Sequence, residues 1–373
     1  MRTELVAYIE VELSRAILSE HRPLLTRIYL DHAATTPLLP QAKAAMAEGL
    51  ERWANPSSPH AEGRAARAAL EDARARIRAA LGWDGELIFT GGATEALAIA
   101  LLRTHAQDVR ASSAEHDAVR RLVGGTGLPV GADGLVQPLV DGGKLLFAIQ
   151  HVNNETGVIQ DVDRIARRVG ELGGLWLADC AQSAGKLPLP GGADFIAVSA
   201  HKLGGPPGIG ALLVRDLAAL DAQGGQEKGY RPGTENLPAA LGFAAALEAR
   251  REWIGRAAEL RDHLDKALTA AGGVVVAAGS PRIPSIASYR MPGVPAASQL
   301  IRFDLAGIAV SAGSACSSGS VKPSHVLAAM GWPEEEAREV IRVSFGASTT
   351  RAEIYEFIRV WTAMAADAGQ RAA

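Results

Sequence analysis

The sequence predicts an α/β fold: a large domain on a mostly parallel sheet, followed by a smaller α+β domain. Three observations predict it. Short apolar runs alternate with amphipathic stretches over most of the chain, the signature of strand–helix–strand units. Several of those runs end in polar residues of kinds that do chemistry. After about Gly242 the alternation gives way to a long helical pattern and then to short strands and helices. The chain has 373 residues, enough for two hydrophobic cores.

In chain order, residues 1–27 are a helix-prone lead-in. Its longest apolar run, Leu5–Ile9, is flanked by Glu4 and Glu10, too short and too charged for a signal peptide or membrane span. AARAALEDARARIRAAL repeats Leu70, Ala73, Ile77 and Leu81 at helical spacing, so one face is buried and the arginines are expected to face away. Leu87–Phe89, Leu145–Ile149, Leu175–Ala178, Phe195–Ser199 and Ile209–Val214 read as buried strands. Ala244–Ala271 reads as one long helix, with strands at Val274–Ala277, Ser285–Tyr289 and Val340–Phe345. The expected division is a large domain of residues 41–254 and a small domain formed by 1–40 and 255–373, with the boundary inside the long helix.

Composition excludes several classes. There are 38 basic against 41 acidic residues, so no basic stripe suits nucleic acid or an anionic membrane. Two cysteines make no disulfide framework, which points to a reducing, cytoplasmic setting. No CxxC or HExxH spacing suggests a metal.

In an open parallel sheet, ligands sit beyond the carboxyl ends of the strands. LWLADCAQS puts Asp179 at one such end with Gln182 beyond it, and FIAVSAHKLGG puts Ser199, His201 and Lys202 at the next. LLFAIQHVNNETG places Asn153, Asn154 and Glu155 at a third. Alone, Asp179 reads as a helix cap and Lys202 as a solvated lysine. Together, an amine able to form a Schiff base and a carboxylate able to keep a pyridinium protonated are what pyridoxal phosphate requires. FTGGATEA follows a strand and opens a helix, where backbone amides can receive a phosphate.

The motifs YLDHAATTP, NPSSPHAEGR, GGATEA, EHDAV, HVNNETG, DCAQSAGK, SAHKLGGPPGIG, GGQEKGYRPGTEN, SAGSACSSG and IRVSFG occur in this order between about residues 28 and 350. The set resembles the cysteine desulfurases of the nitrogenase and housekeeping iron–sulfur type, pyridoxal-phosphate enzymes of the class V aminotransferase family with the aspartate-aminotransferase-like type I fold. The resemblance implies that Lys202 carries the cofactor, Asp179 pairs with its ring nitrogen and Gln182 with its ring hydroxyl. It implies that His116 stacks on the ring and moves protons, while Ala93, Thr94, Ser199 and His201 hold the phosphate. Thr234 would reach the phosphate of a neighbouring subunit in a homodimer. Asn154 and Arg342 would bind the substrate carboxylate, a task suited to the arginine fork; a structural ion pair is the plainer alternative for Arg342. Cys316 would attack the sulfur of L-cysteine and carry it as a persulfide to an acceptor protein. Its glycine-, alanine- and serine-rich surroundings suit a reactive thiol that must travel. Cys180 follows a buried strand and reads as a packed core thiol.

Some positions depart from the family pattern. Leu97 and Ala98 stand where amide residues are usual, the stretches between Thr94, His116 and Asn154 are short, and the scaffold-docking tail of housekeeping members is expected to be missing after Trp361. Selenocysteine lyase or cysteine-sulfinate desulfinase activity uses the same chemistry and stays open. So does a catalytically lapsed homologue acting as a dimeric interaction partner, although Lys202, Asp179 and Cys316 are all present.

Overall fold

The computed structural model describes residues 27–124, 127–140, 142–249, 252–315 and 321–372; the lead-in up to residue 26 and Cys316 lie outside the described residues. The described chain opens on β1 (Ile28–Tyr29), followed by α1 (Pro40–Leu50) and α2 (Ala61–Leu81). Helix α2 begins where His60 accepts from the Gly63 amide and stops at Gly82, whose left-handed backbone (φ 65°) suits glycine. Next come β2 (Glu86–Thr90), α3 (Ala93–Arg103), β3 (Asp108–Ser112), α4 (Asp117–Val123), β4 (Gly127–Leu128), β5 (Leu145–Ala148), α5 (Val162–Leu172), β6 (Leu175–Asp179), β7 (Phe195–Ser199) and β8 (Gly210–Val214). Among the described residues these strands form one sheet in the order β2-β8-β7-β6-β5-β3-β4. Only β8 runs antiparallel to its neighbours; every other pair is parallel.

Both faces of this sheet are covered, which is why its strands read as continuous apolar runs. Alternate residues serve alternate faces. Ile196 and Val198 pack with Leu70 and Ile77 of α2, whereas Phe195 and Ala197 pack with Leu97 and Leu101 of α3.

The chain continues through α6 (Leu237–Glu248), α7 (Trp253–Ala270), β9 (Val274–Val275), β10 (Ile286–Arg290), α8 (Ala296–Leu305), β11 (Ile308–Ala309) and β12 (Ser311–Ala312). It ends in β13 (Ser314–Ala315), β14 (Val321–Lys322), α9 (His325–Ala329), α10 (Glu334–Ala337), β15 (Val340–Ser344) and α11 (Arg351–Ala372). A second, antiparallel sheet orders β12-β15-β10-β9. Its own core contains Leu264, Tyr289, Phe303, Phe357 and Trp361, and Leu30 beside β1 joins it.

Three expectations are corrected. The single helix over Ala244–Ala271 is two helices, α6 and α7, because Ala249 leaves the helical region (φ −62°, ψ 143°). Leu237–Leu247 belong to the first core and Ala257–Leu268 to the second, so a straight helix would not bury both faces. The strand at Val274–Ala277 stops at Val275, and Ala277 is left-handed (φ 51°). Not every arginine of α2 faces away: Arg74 turns inward, its Nη1 and Nη2 donating to Glu227 at 2.7 and 2.8 Å. It also donates to the Leu87 carbonyl and lies over the Phe89 ring. Full pairing of this kind is what lets a charge be buried.

Candidate active site

A cavity of about 750 Å³ opens where β2, β3, β5, β6 and β7 end. That is where a parallel sheet leaves strand termini diverging and backbone groups free. The cavity collects Ala93, Thr94, His116, Asn154, Asp179, Gln182, Ser199, His201, Lys202 and Arg342, ten positions drawn from across the chain.

From β6, Asp179 is nearly buried. Its Oδ1 accepts from the Ala181 amide at 2.9 Å, so it also caps the following turn. Burial raises its pKa above the ordinary carboxylate value, while the Ala181 amide and the charges of His116 and Lys202 pull it back. Gln182 donates through Nε2 to the Ala33 carbonyl at 2.9 Å. Its Oε1 is buried without a partner.

Beyond β7, one tight turn over Ala200–Lys202 brings Lys202 to the carbonyls of Ala33 and Ala34, to which Nζ donates at 2.7 and 2.8 Å. Burial first, then the charge of Arg342, lowers the amine pKa to about 8, against the pull of Asp179 and Asp31. A free amine is therefore accessible near neutral pH, as a carbonyl-attacking lysine requires. His201 meets the Thr35 hydroxyl at 3.2 Å, and burial together with the Lys202 charge lowers its pKa to about 4.

At the end of β2, Gly92 (φ 146°) precedes α3, which has no side-chain cap. The first-turn amides of α3 remain available to an anion. Ser199 stands opposite, its Oγ 3.6 Å from where a Cβ on Gly92 would lie. Gly210 makes this approach possible: a Cβ there would lie 2.7 Å from the Gly92 Cα. At the end of β3, His116 caps α4, Nδ1 accepting from the Ala118 amide at 3.1 Å. That bond assigns the proton of the neutral ring to Nε2.

The opposite wall comes from the second sheet. Arg342 of β15 donates to the Asn154 carbonyl at 3.1 Å and to Asp31 Oδ1 at 2.8 Å. Its Nε is buried without a partner. The plainer reading of Arg342, a structural ion pair, is therefore observed, and the same side chain lines the cavity. Thr234 does not join the group; it is exposed and outside the cavity. Cys180 is buried, and burial pushes its thiol pKa up, so it stays protonated.

Two residues of this site carry no assigned role in the sequence reading. Asp31 lies in the YLDHAATTP motif, and its partner Arg342 is 311 positions away. Glu155 is buried and accepts from Ser324 Oγ at 2.5 Å across 169 positions. Their membership of the quoted motifs was the available signal.

An amine held close to neutrality, a buried carboxylate on the adjoining strand and an uncapped helix beside both mark an enzyme built around a phosphorylated pyridine aldehyde. The aminotransferase class-V profile matches residues 28–357, and the chain belongs to that pyridoxal-phosphate-dependent family. Within the family its relatives are cysteine desulfurases. It is 36% identical over 360 residues to cysteine desulfurase IscS of Dictyoglomus turgidum, covering 88% of this chain and 91% of that one. It is also 36% identical to a cysteine desulfurase of Gluconacetobacter diazotrophicus, over 88% of this chain and 90% of that one. The solved structure of a NifS-like protein from Rickettsia africae superposes with a TM-score of 0.83 at 31% identity, over 91% of this chain and 99% of that one.

The residues fit the cofactor. The unpartnered Gln182 Oε1 can accept from a ring hydroxyl, the buried Asp179 can face a ring nitrogen, and the open end of α3 can receive a phosphate.

Proposed function

We propose that this chain is a cysteine desulfurase, taking sulfur from L-cysteine to give L-alanine and a persulfide on Cys316. The observation that carries the proposal is the meeting, in one cavity, of Lys202 and Asp179 from the first sheet with Arg342 from the second. Gly313, three residues before Cys316, lines the same cavity.

When bound, pyridoxal phosphate supplies an electron-withdrawing ring that delocalises the charge left when a Cα proton is removed. Lys202 would hold it covalently, Asp179 and Gln182 would bind its ring, and Ala93, Thr94, Ser199 and His201 would bind its phosphate. Arg342, with Asn154, orients the substrate carboxylate. The Lys202 amine, once free of its covalent bond, would take the Cα proton. His116 presents the N–H of Nε2 as a proton donor. The Cys316 thiolate attacks the substrate sulfur, the Cβ–S bond breaks, and its electron pair stays with carbon, which is protonated to the methyl group of alanine. The sum balances: L-cysteine plus enzyme thiol gives L-alanine plus enzyme persulfide.

The two cores support dividing the chain into a large domain of residues 41–254 and a small domain of 1–40 with 255–373, since α6 packs in the first core and α7 in the second. A homodimer fits an exposed Thr234, and the persulfide is passed to an acceptor protein. No described helix is long and apolar enough to cross a membrane.

The test adds L-cysteine to the purified holoenzyme under reductant while cofactor absorbance, alanine and sulfide are followed. A spectral shift with alanine and sulfide formed one to one is expected. Cofactor bound without alanine formation overturns cysteine as the substrate.

A further inference from the structure

Thr234 sits on a loop, residues 223–236, that is largely exposed yet fixed at both ends by buried carboxylates. The side chains of Glu227 and Glu235 are fully buried. Glu227 accepts both Arg74 amines and, at 2.7 Å, the Phe89 amide. Glu235 accepts from Arg67 at 3.3 Å. Arg67 and Arg74 lie two turns apart on one face of α2. Between these anchors Arg231 donates to Glu95 at 2.9 Å, and the Gly233 amide to Gln226 Oε1 at 2.7 Å. Glu227 and Lys228 are left-handed at φ 49° and 57°, a conformation that non-glycine residues keep only where the surroundings over-determine it.

A loop pinned this thoroughly is not built to move. It holds an exposed side chain in one place outside its own cavity. We propose that Arg67 and Arg74 are positioning residues for cofactor phosphate. Through Glu235 and Glu227 they set the loop that offers Thr234 to the site of a second copy of the chain. This rests on the reading of Thr234 given above.

The experiment measures the dissociation constants of pyridoxal phosphate and of phosphate-free pyridoxal for the apo dimer, with the KM for cysteine alongside. Thr234→Val, Glu235→Gln and the double variant are compared with the native chain. Glu235→Gln leads because Arg67 is half-exposed and losing its charged partner is tolerable; Arg67→Gln replaces it, with the same expectations, if the dimer does not fold. Thr234→Val is expected to weaken pyridoxal phosphate binding about ten- to a hundredfold, the range of one hydrogen bond to a charged group, and Glu235→Gln about three- to tenfold, because it acts only through the loop. The double variant should bind no more weakly than Thr234→Val alone, since the clamp acts through Thr234. Pyridoxal affinity and KM should not change. Native affinity in Glu235→Gln, or effects that multiply in the double variant, overturns the clamp while leaving Thr234 intact. Native affinity in Thr234→Val overturns the Thr234 reading and the clamp with it.

Discussion

The two walls of the cavity manage charge in opposite ways. On the wall built by β6 and β7, burial weakens the charged forms: it raises the Asp179 pKa and lowers the Lys202 pKa to about 8. On the wall built by β15, Arg342 is held in an ion pair with Asp31 at 2.8 Å. The first wall is prepared for covalent and proton chemistry, which needs groups close to changing protonation state. On the proposed function the second serves recognition, which needs a permanent charge in a fixed direction. Variants on one wall should therefore damage catalysis, and variants on the other should damage substrate affinity.

The largest expected effect is on the first wall. Lys202→Ala should lower alanine formation by about three orders of magnitude or more, since the covalent and proton-transfer roles go together. A turnover assay with cofactor in excess checks it. On the second wall, Arg342→Lys should raise the KM for cysteine about ten- to a hundredfold through loss of the fork. Pyridoxal phosphate affinity should stay native, and a parallel loss of cofactor would blur the division between the walls. Asp31→Asn should raise KM only about threefold, because asparagine still accepts from Arg342 but holds it less firmly. Initial-rate kinetics on that variant sharpen the contrast.

Two pH dependences follow. A lysine attacks the cofactor aldehyde as the free amine, so loading of the apo protein should accelerate as pH rises through about 8 and level off above, read by stopped-flow absorbance. The smallest effect concerns stability. Burial holds His151 neutral down to about pH 4, whereas the unfolded chain protonates it near its ordinary value. Between those limits the unfolded state binds the extra proton, so this group makes stability fall as pH falls from about 6.5 to about 4, and adds no slope below. Denaturant titrations of His151→Gln should show a slope smaller by about one proton in that window.

Much of the first wall was legible in the sequence, because its residues follow apolar runs directly and strand ends are local features. Asp179 and Lys202 each need only a few neighbouring residues to be noticed. β3 was not legible: DVRAS carries two charges and only its last two residues are buried. The break between α6 and α7 was not legible either. No glycine or proline marks it, and it arises because two separate cores each claim one half. Asp31 and Glu155 were visible only as parts of motifs, since their partners lie far along the chain and only the fold brings them together.

The contact between Gly210 and Gly92 sets a different kind of limit. Most of this cavity is lined by side chains, which evolution can exchange in small steps. Here one main chain rests on another, and any side chain at 210 would collide with the Val198 carbonyl at 2.4 Å as well as with Gly92. No graded series of substitutions exists at such a point. A lineage that needs a different ligand there has to rebuild the whole turn at once, so this end, the proposed phosphate site, is expected to diverge last even as the rest of the pocket drifts.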